Sequence, residues 1–299
     1  MSAYVLLLTC LGAGVVCARY ALMPVNTPAV LNAWVLRLAL PAVVLVQIPA
    51  LEFDPQLIIP ALAPWLVFLG AVVLFPLLGR RQGWDRKTVG CLILTAGLGN
   101  TSFVGLPLEA LAGRAGMGPA VIADQLGSFV ALATGGVYVA ASYSGGRARL
   151  GDVLGRMLRF PPFGAVVLAF AIALLIGPLP KLLADVLHRL GDTMTPLALF
   201  SVGLQFRLGD IRHHVPTIAA GLAWKLLAAP LIVWSAILLI GARGLAPQVA
   251  VLQCAMAPMI TAGIMAQEHG LSPRLSNTIV SVGIVVSFFS VPLWWFVVA

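Results

Sequence analysis

Ten stretches of roughly 17–25 residues, each nearly free of charge, follow one another along this chain with short polar linkers between them. They run over 4–23, 29–48, 58–79, 88–111, 119–143, 162–178, 183–206, 215–241, 246–268 and 275–298. Each is long enough for an α-helix to cross the hydrocarbon core of a bilayer. Almost no length remains for a soluble domain, so the expected fold class is an all-α polytopic membrane protein. Composition agrees: 61% of residues are hydrophobic and 9% charged, where soluble domains carry about 25% charged residues. The net charge of +8 is therefore no nucleic-acid signal, because most of the basic residues sit in linkers. Met1 to Tyr4 carry no Lys or Arg, so the first apolar run reads as a retained span rather than a cleaved signal peptide. Cys10, Cys17, Cys91 and Cys254 lie inside apolar runs and read as buried free thiols. Neither they nor His188, His213, His214 and His269 show metal-ligand spacing, so no metal and no cofactor is expected.

The longest linker, 144–161, contains Gly145-Gly146 and four arginines and runs into Pro161-Pro162. It divides the chain into five spans over 1–143 and five over 162–299. Prolines recur across this division. Pro41 and Pro196 lie 155 positions apart, Pro60 and Pro216 lie 156 apart, and both Pro76 with Pro230 and Pro119 with Pro273 lie 154 apart. A near-constant offset over four matching elements indicates an internal repeat. Five spans is an odd number, so the second copy enters the membrane from the opposite side, which is the inverted-repeat plan of many transporters. The linkers after spans one, three, five, seven and nine hold twelve basic residues, from Arg19 to Arg274, against four (Arg114, Lys181, Arg189 and Arg243) on the other side. The richer side is expected to be cytoplasmic, with both termini outside.

Two stretches near the middle of spans four and nine break the apolar pattern. The first, Gly99 to Pro107, places Asn100, Thr101 and Ser102 beside Gly105 and Pro107; the second places Pro258 and Met259 before Thr261 and Gly263. Proline removes a donor and its ring clashes with the turn behind it, and glycine lets backbones approach. One such segment alone also describes a kinked helix packed through small residues. A matched pair in an inverted repeat points to a transport site. Equal depth aligns Asn100 with Pro258, whereas a proline-to-proline match sets Pro107 against Pro258; the spacing leaves both open.

The stretch GNTSFVGLPL resembles the fourth-span signature of the auxin efflux carrier family, which includes the plant PIN carriers and bacterial malonate-type permeases. Leu31-Asn32 before Pro41, TPLALFSVGLQF from Thr195, Lys225-Leu226 before Pro230, and AMAPMITAGIMAQEHG from Ala255 fit the same family in order. The resemblance implies ten helices, with scaffold helices over 4–48 and 162–206 and transport-domain helices over 58–143 and 215–298. Unwound fourth and ninth helices would cross at the substrate site, placing Asn100, Pro107 and Pro258 there. The chain lacks the long cytosolic loop of the plant members and has Gly263 where some carriers show a second proline.

Two cations stand near mid-membrane, Arg37 in span two and Lys225 in span eight. A charge at that depth costs about 2.5–3.5 kcal/mol on insertion scales, so each is expected to face a cavity or a partner. Attraction of an anionic substrate and a structural tie to carbonyls or a carboxylate both fit. Asp124 and Gln125, in the first third of span five, are candidates for coupling to protons, since desolvation favours a protonated carboxyl. Gln253, one turn before Pro258, is a further candidate for the site lining, while Glu109 and Glu268 sit near span ends.

Other classes fit less well. Asp192 and Asp210, each after Leu-Gly, fall on opposite sides of the membrane and cannot share a proton as a catalytic dyad does, and no HExxH or GxSxG occurs. A sodium-coupled bile-acid-type symporter shares the ten-helix plan, but no acidic sodium site is recognisable; a channel is the remaining alternative. The expectation is a non-enzymatic secondary carrier of a small organic anion in a bacterial inner membrane. Its partners would be that anion and the bilayer, with no nucleic acid; a homodimer is left open.

Overall fold

The computed structural model describes residues 2–51, 54–108, 114–145, 161–205 and 214–298. The described chain is helical apart from turns and one isolated β-bridge. Its helices are α1 (Ser2–Arg19), α2 (Thr27–Gln47), α3 (Pro55–Gln82), α4 (Arg86–Gly97), α5 (Met117–Tyr143), α6 (Pro161–Leu175), α7 (Lys181–Asp192), α8 (Met194–Gln205), α9 (Val215–Leu239), α10 (Leu245–Cys254), α11 (Ile260–Glu268) and α12 (Pro273–Val298). Five of them, α2, α3, α5, α9 and α12, are long and apolar enough to cross a membrane. Most of the basic linker, and Glu109, Arg207, Asp210, Arg212 and His213, lie outside the described residues.

The stretch read as span seven, 183–206, is two helices. A turn at Thr193 separates α7 from α8. The Thr193 hydroxyl donates to the Leu190 carbonyl at 2.6 Å, and the Trp34 indole N–H donates to Thr193 Oγ1 at 3.0 Å. Pro196 three residues on supplies no backbone donor, which favours a restart there.

Prolines also shape the long helices. In α2 a π-helical turn, Val35–Ala39, precedes Pro41, and in α9 another, Trp224–Ala228, precedes Pro230. The wider turn absorbs the residue whose carbonyl the proline cannot serve. In α9 that orphan is Leu226 O, four residues before Pro230, and the Trp294 indole of α12 donates to it at 2.8 Å.

The chain forms two compact units. The first comprises Met1–Asp54, Ser102–Val121 and Met157–Phe206. In it α1 packs on α8 through Gly14 and Gly203, where an added Cβ would come within 2.3 Å of a facing carbonyl on either side. The second comprises Pro55–Thr101, Ile122–Arg156 and Arg207–Ala299. Its centre is α4, buried at every position from Val89 to Gly97. A helix apolar on all faces suits full enclosure, and α3, α5, α9, α11 and α12 surround α4. Asp85 caps its start by accepting from Thr88 N–H at 2.9 Å.

Candidate functional site

Within the second unit both interrupted stretches lose their helix at the expected places. Helix α4 ends at Gly97, Leu98 is extended, and a short π-helical turn begins at Thr101. Helix α10 ends at Cys254, and α11 begins at Ile260 after an extended Met259. The two broken segments meet as an antiparallel bridge between Gly99 and Pro258. Asn100 N–H donates to Ala257 O at 2.7 Å and Met259 N–H donates to Leu98 O at 3.0 Å. Each break thereby satisfies groups freed by the other, which a low-dielectric interior requires. The two bonds flank the Gly99–Pro258 pair, leaving that pair of the non-hydrogen-bonded kind. Pro258 stands at a position where no N–H is called for. The bridge sets Pro258 opposite Gly99, one residue from the Asn100 pairing that equal depth gives and eight from Pro107.

Glycines make the close approach physical. A Cβ on Gly283 of α12 would lie 2.3 Å from Pro258 Cδ, so only glycine admits the proline ring there. A Cβ on Gly99 would lie 2.9 Å from Lys225 Nζ. The Lys225 ammonium thus sits against the backbone of the first break. It is 1% exposed and donates to Cys254 O, the last residue of α10, at 2.9 Å. A cation there meets the negative end of a helix dipole, an interaction worth up to ~2 kcal/mol when partly buried.

Two residues along from Gly99, the Thr101 hydroxyl donates to Asp124 Oδ1, and Gln125 Nε2 donates to Asp124 Oδ2 at 2.5 Å. Asp124 is fully buried. The carboxylate placed in span five by its sequence position therefore joins the first break directly. The crossing is flanked by a buried base at Gly99 and a buried acid at Thr101. Ser128, one turn beyond Asp124, and Gln253 are buried too; Ser128 Oγ and both amide atoms of Gln253 lack hydrogen-bond partners. They line one small space with Pro64, Gly99 and Lys225.

The remaining candidates divide. Asn100 is 1% exposed at the crossing, and Met259 and Gly263 are buried in the same unit, whereas Thr261 on α11 is exposed. Ser102, Gly105 and Pro107 belong to the first unit, as does Arg37, which is exposed on α2. A larger cavity of about 260 Å³ lies within the first unit among Val43, Gln47, His188, Asp192 and Thr195, and none of the candidates chosen from sequence lines it. Sequence reasoning missed Ser128 and Gly283. The i+4 spacing of Ser128 from Asp124 was a usable signal; nothing local marks Gly283.

The chain matches the family described as membrane transport protein over residues 1–149 and 146–295. It is 26% identical over 270 residues to an uncharacterized transporter of Methanothermobacter thermautotrophicus, covering 88% of this chain and 87% of the relative. An uncharacterized transporter of Methanocaldococcus jannaschii is 24% identical over 274 residues, covering 89% and 88%. Auxin efflux carrier component 6 of Arabidopsis thaliana is 30% identical over 112 residues, 37% of this chain and 20% of the plant protein. On these matches the chain belongs to the membrane transport protein family of auxin-efflux-carrier-like permeases.

Proposed function

We propose that the protein is a secondary carrier of small organic anions, mono- or dicarboxylates, that works by alternating access across a bacterial inner membrane. The observation that carries this reading is the crossing of two broken helices at Gly99 and Pro258, bracketed by buried Lys225 and Asp124. Half-helices that begin at such a crossing present unpaired N–H groups and a partial positive charge, both suited to a carboxylate. Asn100 adds a buried carboxamide at the same point.

Ten spans in two inverted sets of five, with both termini outside, fit the proline offsets and the twelve-to-four bias of basic linker residues. The division into two compact units favours a carrier with a scaffold and a transport body. Asp124 is the residue placed to couple transport to protons; the membrane potential is the other driving force open to an anion carrier. The malonate-type permeases are the branch whose substrates this reading favours.

The test is uptake and counterflow by the purified protein in proteoliposomes, with a panel of mono- and dicarboxylates that includes auxin. Saturable counterflow of at least one anion is expected. Asn100→Ala is expected to abolish it while expression and melting temperature stay unchanged. Normal counterflow by Asn100→Ala would remove the crossing as the site.

A further inference from the structure

The cavity of about 260 Å³ in the first unit is lined by none of the residues of the crossing. Its volume is near the small end of ligand pockets, which begin at ~300 Å³. Helical periodicity builds two of its walls. Val43, Val46 and Gln47 share one face of α2, and Leu187, His188, Gly191 and Asp192 share one face of α7. The two faces close tightly at Gly191, where an added Cβ would come within 2.8 Å of Val43 Cγ2. Leu106 and, from the first turn of α8, Thr195 join the lining.

Most of the lining is aliphatic, and four polar side chains stand among it. Gln47, His188 and Thr195 have no side-chain hydrogen-bond partner among the described residues, and each can accept from an N–H. Asp192 is exposed and brings a carboxylate; no lysine or arginine lines the cavity among the described residues. Three helix ends also border it. Helix α2 ends at Gln47 and α7 at Asp192, both carbonyl ends, whereas α8 begins at Met194. Two negative helix ends against one positive end add to the Asp192 charge in favouring a cation.

We propose that this cavity is a binding site for a small amphipathic amine. The ammonium has three donors and no acceptor. It donates to the Asp192 carboxylate, with Gln47 Oε1 and Thr195 Oγ1 as further acceptors, while the hydrocarbon body lies against Val43, Leu106 and Leu187. A carboxylate ligand would meet Asp192 without a counter-charge. A phospholipid amine would bring its phosphate to the same place, where no cationic side chain receives it. The charge preference is opposite to that read for the transported anion, and the site does not depend on the carrier reading.

Isothermal titration of the purified protein in detergent micelles tests this with three ligands of one body: phenethylamine, phenethyl alcohol and phenylacetate. The wild-type protein is expected to bind phenethylamine saturably and about tenfold or more tighter than phenethyl alcohol. Asp192→Asn keeps the shape and removes the charge. It is expected to weaken phenethylamine about tenfold or more and to leave phenethyl alcohol unchanged, a change of ratio that a merely structural Asp192 would not produce. Val43→Phe puts a ring into the cavity and is expected to weaken both.

A wild-type protein that does not bind phenethylamine overturns the proposal. Equal affinity for phenethylamine in the wild type and Asp192→Asn does so too. Phenylacetate binding that Val43→Phe abolishes would make this an anion site, and competition by phosphatidylethanolamine would make it a lipid site; either result overturns the proposal. Should Asp192→Asn not fold, the wild-type preference for the amine over the alcohol, and its loss in Val43→Phe, decide.

Discussion

Arg37 and Lys225 occupy similar local structures. Each lies in a π-helical turn a few residues before a proline, inside a helix apolar enough to cross a membrane. Yet Lys225 is sealed in and bonded to a carbonyl, whereas Arg37 is exposed. The proline and the π turn set the local backbone and leave the direction of the charge open. What draws Lys225 inward is the broken end of α10, with Cys254 O unpaired by its own helix. Arg37 has a different neighbourhood in the first unit: α6, α7 and α8 pack on α2, and its guanidinium stays at their surface. A cation inside such a helix is thus fixed by the backbone it can serve, and the two positions are expected to fail differently.

The sharpest break of the comparison is Lys225→Met. It removes the charge at nearly constant volume. It also leaves Cys254 O without its donor, at a cost of about 1–3 kcal/mol, so the melting temperature is expected to fall by several degrees with the protein still folded. Uptake should fall on the order of 100-fold, since Cys254 O loses its cation. A collapse of folding instead would make Lys225 a purely structural residue.

Trp294→Phe probes the α9 turn without touching the ammonium. It strips the donor from Leu226 O and leaves a carbonyl orphaned by Pro230, at a cost of about 1–3 kcal/mol. Thermal unfolding in detergent should show a drop of several degrees. An unchanged melting temperature would mean that the π turn satisfies this carbonyl by itself.

Arg37→Gln should have the smallest effect on the fold. Exposed substitutions usually stay within about 0.5 kcal/mol, so the melting temperature should not move. If Arg37 attracts the anion from a distance, the KM for uptake should rise about tenfold with kcat unchanged, the scale of a ~1.4 kcal/mol attraction. A lower kcat at constant KM would instead place Arg37 in the moving parts.

Much of this was legible before any coordinates. The Gly and Pro content of 99–107 and 257–263 marked both breaks, because few other residues interrupt a helix so directly. The apolar runs marked the helices, and Asp124 was readable as a candidate from its place in span five. The register of the crossing was not legible, because equal depth and proline matching made different predictions and only the meeting of the two backbones decides. Nor was the contrast between Arg37 and Lys225. Both helices are apolar on all sides, so periodicity gives no inward face. Gly283 was hidden for a related reason, since its meaning depends on a proline on a different helix. The two-helix nature of span seven had a signal in the charged face of α7, masked by reading the apolar residues of 183–206 as one run.

The bridge at Gly99 and Pro258 also has a mechanical meaning. Two backbone hydrogen bonds flank the paired residues of the crossing, a short ladder that could in principle slide. Proline forbids it: shifting the pairing by one residue would bring the nitrogen of Pro258 into a donor's position that it cannot fill, and would turn every neighbouring side chain to the other face. A slip by a single residue is therefore closed to this crossing, and the proline acts as a register pin between two chain segments that no continuous helix joins.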